Sequence, residues 1–197
     1  MSISKVSIFN NALTQIGAAP IVSFDDDSQN ARVGSRVYED ARRSALSECC
    51  WNFAVTRATL SLSVVTMPWS YPNESYVYVR PADAVRIFEV SDPYAQWREE
   101  GDYIISDTAN LGIKYVYDLD NPDKYTPSFI AALTDLLSAG ACFTILNSAT
   151  KADAFQVTYE KLSLPKAKSM NAQTGTQQTP RDSAWENSKY SNGSPDA

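Results

Sequence analysis

The sequence predicts an α+β protein with a helical bundle of about four helices, an inserted antiparallel β-meander and an extended C-terminal arm. Two observations predict the mixture of helices and strands. Apolar residues recur at helical spacing towards both ends of the first 165 residues, whereas they alternate with polar residues in between. The arm is predicted by a change to polar composition near the C-terminus. The predicted segments are 1–56 (N-terminal helical pair), 57–121 (β-rich insertion), 122–170 (C-terminal helical pair) and 171–197 (polar arm).

The N-terminal segment predicts two helices. Gly17 is suited to end the first helix, over residues 4–16. Ser28 or Asp27 would cap the second helix, which is predicted to run to about Cys50. The apolar stripe of the first helix consists of Val6, Phe9, Leu13 and Ile16.

The central segment predicts an antiparallel meander. Trp51 and Phe53, which lead from the second helix into it, should bury their rings against that helix. The turns between strands contain Pro, Asn, Asp and Gly and are too short for the crossovers that parallel strands need. The predicted strands are 59–65, 76–80, 85–90, 96–99, 103–106 and 113–117.

Two further helices follow the strands. Thr126 and Pro127 predict the cap and first residue of the third helix. Because Asp135 is its only charged residue, we expect this helix to be buried on several sides, against other helices, a neighbouring subunit or both. Asp135 also argues against a membrane span. Thr150 would cap a fourth helix, which Pro165 kinks or ends.

The predicted arm, residues 171–197, is rich in Gln, Asn, Ser, Thr, Gly and Pro. Such a segment buries too little apolar surface to order itself, so we expect either a floppy tail or an arm that folds on a partner. Trp185 is an anchor for a partner's pocket or a chance aromatic.

Composition excludes several classes of function. The chain has 17 basic and 23 acidic residues, and this net charge of −6 argues against a free-standing nucleic-acid binder. It has no histidine, which excludes Ser-His-Asp and Cys-His relays and histidine metal sites. We therefore predict no cofactor and no metal site.

The three cysteines, Cys49, Cys50 and Cys142, predict reduced thiols in a protein assembled in a reducing cytoplasm. Adjacent cysteines rarely bond to each other, and three thiols without histidine make a poor zinc site. Residues 1–6 carry no long apolar run, so we expect no signal peptide.

Acidic residues supply the remaining candidates for chemistry. The cluster 25–27 either binds a divalent cation or begins a capped helix, and the second interpretation is favoured. The segment 118–123 resembles the opening of a calcium loop but lacks the required glycine and glutamate. A carboxylate pair could hydrolyse a glycoside. The candidate pairs are Glu99 with Asp102 and Asp118 with Asp120.

Arg32, Arg36 and Arg43 share one face of the second helix. They could contact phosphates, but Glu39 and Asp40 lie near enough along the helix to pair with them. A salt-bridge network within the helix or between subunits is the favoured interpretation.

A set of short motifs occurs in a fixed order between residues 2 and 165. The motifs are Ala12-Leu13-x-x-Ile16-Gly17, Ile21-x-Ser23-Phe24-x-Asp26-Asp27-Ser28, Tyr38-x-x-x-Arg42 followed by Leu46 and Trp51-Asn52-Phe53-Ala54, Arg80-Pro81-x-Asp83-x-x-Arg86-Ile87-x-x-Val90, and Pro127-x-Phe129-x-x-Ala132-Leu133. In this order they resemble the tail tubular protein A and head-to-tail adaptor (connector) family of short-tailed bacteriophages.

The resemblance implies a structural virion protein without catalytic activity, assembled in the host cytoplasm and located in the tail at the head–tail junction. Family members form a homododecameric ring below the portal protein, extend the DNA channel and carry the tail nozzle (tail tubular protein B-like) and the tail fibres or spikes. Genomic DNA would pass without sequence-specific binding, and an acidic chain suits a channel that must not grip phosphates.

The resemblance also suggests roles for particular residues. An arm that reaches up along the portal would use Arg181, Trp185 and Tyr190 as portal-binding residues. Packing between subunits would use Arg32, Arg36, Arg43, Leu136 and Phe143.

Two other functions remain open from the residues alone. One is a virion-associated, carboxylate-based glycan hydrolase that acts on cell walls or polysaccharides. The other is a small bacterial or prophage-encoded interaction module that stays monomeric.

Overall fold

A computed structural model describes residues 3–65 and 67–174. It confirms the α+β class, with helices before and after two antiparallel three-stranded sheets. The predicted portal-binding residues Arg181, Trp185 and Tyr190 lie outside the described residues.

The first two helices each begin with a side chain that caps the helix. Helix α1 (Lys5–Ile16) begins with a capping box, in which the Ser4 hydroxyl accepts from the Ser7 amide at 3.0 Å. It ends at Gly17, whose φ of +77° suits glycine. Helix α2 (Gln29–Ser47) is capped by Ser28, as predicted, and ends three residues before the predicted Cys50.

The third helix is the centre of the bundle. Thr126 caps α3 (Pro127–Leu146), and proline is its first residue, both as predicted. It packs against α1, α2 and the helices that follow it. Helices of the same chain therefore bury α3 on several sides, as predicted.

By length and composition, α3 is also the one helix within 3–65 and 67–174 that could cross a membrane, with a mean hydropathy of 1.9. Half of its apolar window is buried inside the protein. A central core helix has the same properties, so these values do not establish a membrane span.

The last helical segment differs from the prediction in two ways. Helix α4 (Ala149–Thr158) follows Ser148 at the cap position, so the predicted cap Thr150 is wrong and lies inside the helix. A π-helical turn (Tyr159–Ser163) then leads directly into α5 (Leu164–Ala172). Pro165 does not end the helix, because the wide turn and the start of α5 accommodate a residue without an amide hydrogen.

Six strands form two sheets. They are β1 (Val55–Thr59), β2 (Tyr76–Val79), β3 (Ala84–Val90), β4 (Trp97–Glu100), β5 (Tyr103–Ser106) and β6 (Gly112–Tyr117). All pairs are antiparallel, as predicted, but the strand orders are β1-β6-β3 and β2-β5-β4. The predicted meander is therefore wrong, because β6 inserts between β1 and β3 and β5 inserts between β2 and β4.

The predicted first strand, 59–65, is also wrong. Strand β1 ends at Thr59, where its pairing with β6 ends. The chain then crosses to the second sheet, where Leu62 forms only an isolated bridge with Tyr78. The segment 55–62 thus contacts both sheets.

The helices and the first sheet share one hydrophobic core. Trp51 is fully buried, as predicted, and its ring centroid lies 5.0 Å from that of Phe129. Phe53 is partly buried and also packs 5.0 Å from Phe129. A smaller second core lies in the β-region and contains Leu60, Tyr78, Ala84, Ile87, Ile104, Leu111, Ile113 and Tyr115.

Candidate functional site

An open groove of about 670 Å³ lies between α2 and α4, with α3 as its floor. Its floor and walls are mostly small or apolar side chains, and its rim carries charges. The small and apolar lining residues are Val37, Ala41, Leu136, Ala139, Gly140 and Ala152, and the polar ones are Arg36, Asp40, Ser44, Asp153 and Gln156. We call this surface the bundle groove.

Close packing of α2 on α3 sets the depth of the bundle groove. A Cβ atom at Gly140 would lie 2.8 Å from Cγ1 of Val37, closer than packed carbons come. Gly34 has the same role on the other side of α2, where a Cβ would lie 2.6 Å from the ring of Phe9. The absence of side chains at these glycines allows α2 to approach both neighbours closely.

The structure brings together two of the predicted subunit-packing residues. Arg36 and Leu136 both line the bundle groove. Phe143 lies two turns beyond Leu136 on α3 and is 58% exposed, although it is large and apolar. The predicted apolar surface on the third helix is thus present at its C-terminal half.

Arg32 and Arg43 lie elsewhere and do not form the predicted network within α2. Arg32 pairs with Asp27, which precedes the helix. Arg43 Nε lies 3.5 Å from Asp118 Oδ2, in the loop after β6. Neither arginine pairs with Glu39, because Glu39 instead contacts Lys5 and the buried Arg42. A network between subunits, the other form that the prediction allowed, stays a prediction.

Arg42 is a residue whose role the sequence reasoning missed. Its side chain is only 5% exposed, and its Nη atoms lie 2.6 Å from Asp118 Oδ1 and 2.8 Å from Glu39 Oε2. Nη1 also donates to the carbonyl oxygen of Leu119 at 2.8 Å. These contacts join α2 to the segment between β6 and α3, so Arg42 ties the bundle to the β-region. Its place in the motif Tyr38-x-x-x-Arg42 is the signal that could have found it.

Lys5 completes this charge cluster, with Nζ 2.9 Å from Glu39 Oε1 and 2.5 Å from Asp120 Oδ1. Burial opposes charging of Arg42, but its hydrogen bonds to Asp118 and Glu39 raise the pKa of Arg42 above its ordinary value. Burial opposes charging of Glu39 as well, but hydrogen bonds from Lys5 and Arg42 lower the pKa of Glu39 below its ordinary value. Arg42 and Glu39 are therefore held in their charged forms.

A second uncovered apolar surface lies at the far end of the β-region. No residue from 58 to 73 is charged. Several of its large side chains are nevertheless exposed, which is uncommon for a contiguous patch on a monomer. They are Leu62, Val64, Val65, Trp69 and Tyr71, with Val64 fully exposed and Trp69 68% exposed. We call this surface the β-tip.

The β-tip is organised by aromatic and charged contacts. Trp69 and Tyr71 pack edge to face with centroids 5.2 Å apart. The guanidinium of Arg98 lies 5.3 Å from the Tyr71 ring centroid and 2.8 Å from a carboxylate oxygen of Glu74. These contacts connect the aromatic side chains of the loop before β2 to Arg98 of β4.

The acidic candidates have local structural partners. The Asp26 carboxylate accepts from the amides of Val22 and Ser23 at 2.9 and 3.0 Å. Together with the Ser28 cap, this confirms the interpretation of segment 25–27 as a turn and helix start. Within 3–65 and 67–174, no three Cys, Asp or Glu side chains are grouped so that they could hold a metal ion.

The carboxylates considered for glycan hydrolysis are engaged by basic side chains. Asp118 and Asp120 both contact Arg42. Glu99 lies 3.3 Å from Arg80 Nε. These contacts favour structural roles for the three carboxylates. Asp102, the fourth candidate, forms no ion pair within residues 3–65 and 67–174.

All three cysteines, Cys49, Cys50 and Cys142, are free thiols, as predicted. Burial raises the pKa of the Cys50 thiol. The protonated form is therefore favoured, and a protonated thiol is a poor nucleophile.

The first residues of the predicted arm are part of the helical bundle. Residues 171 and 172 belong to α5, and Asn171 is fixed to the segment after α2. Its Oδ1 accepts from the Asn52 amide at 2.9 Å, and its Nδ2 donates to the Cys50 carbonyl at 3.0 Å. The Asn52 side chain in turn donates to the Asn171 carbonyl and to Thr174. The chain is thus anchored to the bundle as far as residue 174.

No family model matches this sequence, and no curated protein matches it.

Proposed function

We propose that this chain is a structural subunit of the head-to-tail connector of a short-tailed bacteriophage, acting without catalysis. It forms a ring below the portal protein, extends the DNA channel, and carries the tail nozzle and the fibres or spikes. The observation that carries the proposal is that two apolar surfaces, the bundle groove and the β-tip, are exposed among residues 3–65 and 67–174. A ring subunit needs contacts with its neighbours as well as a platform for other tail proteins.

The motifs on which the resemblance depends support this proposal, because the residues in them build the fold. Gly17 ends α1, and Arg42 joins the bundle to the β-region. Arg80 donates to the Ala84 carbonyl at 2.6 Å. Arg86 donates to the Ser47 carbonyl at 3.2 Å, across the same junction between bundle and sheet. Motifs made of residues with structural contacts are expected in a family whose members share a fold, whereas the motifs of an enzyme family also contain reactive groups.

The charge distribution also suits a DNA channel. Residues 1–165 contain 13 basic and 20 acidic residues. Because the acidic excess repels phosphates, DNA can slide past the ring without being held. We expect the lumen of the ring to be acidic or mixed, and a ring lined mainly by Arg and Lys would contradict this.

The decisive experiment is a mass measurement of the purified chain, alone and mixed with phage heads that carry the portal protein but lack this chain. We expect the chain to bind the heads as a ring of about twelve copies, the number that the resemblance implies. A chain that remains monomeric in both settings would overturn the proposal. Turnover of a cell-wall glycan by the purified chain would favour the hydrolase instead.

The C-terminal arm has its own test. Truncation after Thr174 leaves the contacts of Asn171 with Asn52 in place, so the subunit should fold normally. If the arm docks on the portal, the truncated chain binds portal-bearing heads more weakly than the full chain. Equal binding of both chains would overturn the role of the arm while leaving the ring proposal standing.

A further inference from the structure

The bundle groove has charged rim residues without an ion-pair partner among the described residues. Within 3–65 and 67–174, Arg36, Asp40 and Asp153 form no ion pair, although other charges on α2 do. Asp40 and Asp153 stand on opposite walls, one on α2 and one on α4. Two carboxylates across an apolar floor create a surface that favours a basic, partly apolar occupant.

A surface with the complementary character lies along α4, the π turn and α5, next to the residues that line the groove but not among them. Val157 is 46% exposed and Leu162 is 66% exposed. They are five residues apart, and the π turn between them places residues at this spacing on one side of the helix. Lys161 and Lys166 are exposed beside them and form no ion pair within residues 3–65 and 67–174. We call this surface the outer ridge.

The shapes of the two surfaces also match. The groove floor contains Ala139 and Gly140, and Ala41 and Ala152 flank it. Small residues let a neighbouring helix approach closely, and an apolar ridge on a helix packs into a groove of this kind. The exposed Glu160, on the same stretch as Lys161, is opposite in charge to Arg36.

We propose that the occupant of the bundle groove is a second copy of this chain, whose outer ridge packs into it. Val157 and Leu162 of one copy cover the apolar floor of the next, and Lys161 and Lys166 pair with Asp40 and Asp153. Each copy then uses a groove on one side and a ridge on another, which is a head-to-tail contact able to propagate from copy to copy. This inference rests on the proposed function, because it identifies the contact that would join neighbouring subunits of the ring.

Two charge-reversed variants test the pairing. The groove variant carries Asp40→Lys and Asp153→Lys, and the ridge variant carries Lys161→Glu and Lys166→Glu. Each variant places like charges at every contact, so we expect either one alone to associate about tenfold more weakly than the wild type, or worse. An equal mixture restores opposite charges at each contact, provided that the two variants alternate.

The readout is the mass distribution in native mass spectrometry and sedimentation, alone and on portal-bearing heads. Rescue by mixing is the expected result, with assemblies that contain equal numbers of both variants. Because all four substituted side chains are exposed, circular dichroism should show folded variants. The matched control carries Asp25→Lys and Asp102→Lys, which change the net charge equally outside the groove, and it should associate like the wild type.

The outcomes separate this inference from the proposed function. If the wild type forms rings on portal-bearing heads and both variants do the same unaided, the inference is wrong and the connector proposal stands. If both variants fail and the mixture also fails, the groove does not take the ridge of a second copy. If the wild type itself assembles in neither setting, the connector proposal fails and the inference fails with it.

Discussion

Trp51 of the helical bundle and Trp69 of the β-region are both large apolar side chains, but they differ in burial. Trp51 is completely buried, and its indole nitrogen donates to the Ala45 carbonyl at 2.9 Å. Trp69 is 68% exposed and has Tyr71 as its aromatic neighbour. A tryptophan gains from burial wherever its ring can be covered. The bundle supplies that cover from its own helices, whereas the β-tip leaves its aromatic side chains available to another molecule.

The difference follows from how each region is built. Around α3, helices of the same chain bury residues on several sides, and the core continues into the first sheet. The β-region has two three-stranded sheets with a small second core, and short sheets bury few side chains. The bundle therefore determines the stability of the subunit, and the β-tip is free to serve contacts.

Replacing each tryptophan by alanine gives the largest expected difference between the bundle and the β-tip. Trp51→Ala should lower the free energy of unfolding by about 4 kcal/mol, because it empties a fully buried site and removes a hydrogen bond. Trp69→Ala, the matched control, should change it by less than about 0.5 kcal/mol. Urea denaturation followed by circular dichroism measures both, and equal losses would contradict the division between scaffold and contact surface.

The junction between the two regions is tested at neighbouring arginines. Arg42→Ala should lower the free energy of unfolding by about 3 kcal/mol, since it leaves Glu39 and Asp118 without their buried partner. Arg43 is 59% exposed in its side chain, and Arg43→Ala should cost less than about 1 kcal/mol. The same denaturation assay applies, and an Arg42→Ala variant as stable as Arg43→Ala would mean that the charge cluster does not join bundle and sheet.

Two glycines distinguish close packing in the bundle from turn geometry in the β-region. Gly34→Ala should cost about 1 kcal/mol, because the clash with Phe9 exceeds the gain in helix propensity. Gly101 has a φ of +58° and open space around it, so Gly101→Ala should also cost about 1 kcal/mol, but through backbone strain.

Asparagine separates the two causes. Because it tolerates positive φ better than alanine, Gly101→Asn should be milder than Gly101→Ala. Gly34→Asn should be worse than Gly34→Ala, since its side chain is larger. Thermal unfolding of the four variants gives the comparison, and the reverse order at either position would show that its assigned cause is wrong.

The smallest expected effect is the pH dependence of the charge cluster. The folded state lowers the pKa of Glu39 from its ordinary value of 4.5, so its stabilisation is present above pH 4.5 and is lost as the pH falls through the lowered value. Lys5 has a raised pKa, and its contribution changes only above about pH 10.5. Because Glu39 is half exposed, its share is less than about 1 kcal/mol.

The check is urea denaturation at several values between pH 7 and pH 3 for the wild type and Glu39→Gln. The variant should be less stable than the wild type at pH 7, and the difference should shrink towards pH 3. A constant difference across this range would show that the Glu39 carboxylate does not stabilise the fold.

The helix starts were predictable because their causes are local. The caps Ser28 and Thr126 each accept a bond from an amide three residues away, which the sequence displays directly. Thr150 failed as a cap because Ser148 lies nearer to the turn that ends α3 at Asn147. Of the two predicted effects of Pro165, ending the helix is wrong: the helix continues through α5, after a π turn that nothing in the sequence indicates.

The strand order was not predictable in the same way. Alternation identified the positions of the strands, but any two strands with an apolar face can pair locally. Strand β1 pairs with β6, more than fifty residues later, and the chain leaves the first sheet at Leu60. Arg36 and Leu136 were predicted separately as subunit-packing residues, whereas the groove that both of them line depends on where α4 packs.

The class of the fold, the caps of its main helices, the free thiols and the burial of α3 could be predicted from the sequence. Each of these depends on composition or on hydrogen bonds and apolar spacing within a few residues. The order of the strands, the burial of Arg42 and the groove that α2 and α4 form across α3 could be found only in the folded protein. These depend on contacts between residues far apart in the chain, and the free energy of such contacts is fixed only when the whole core has formed.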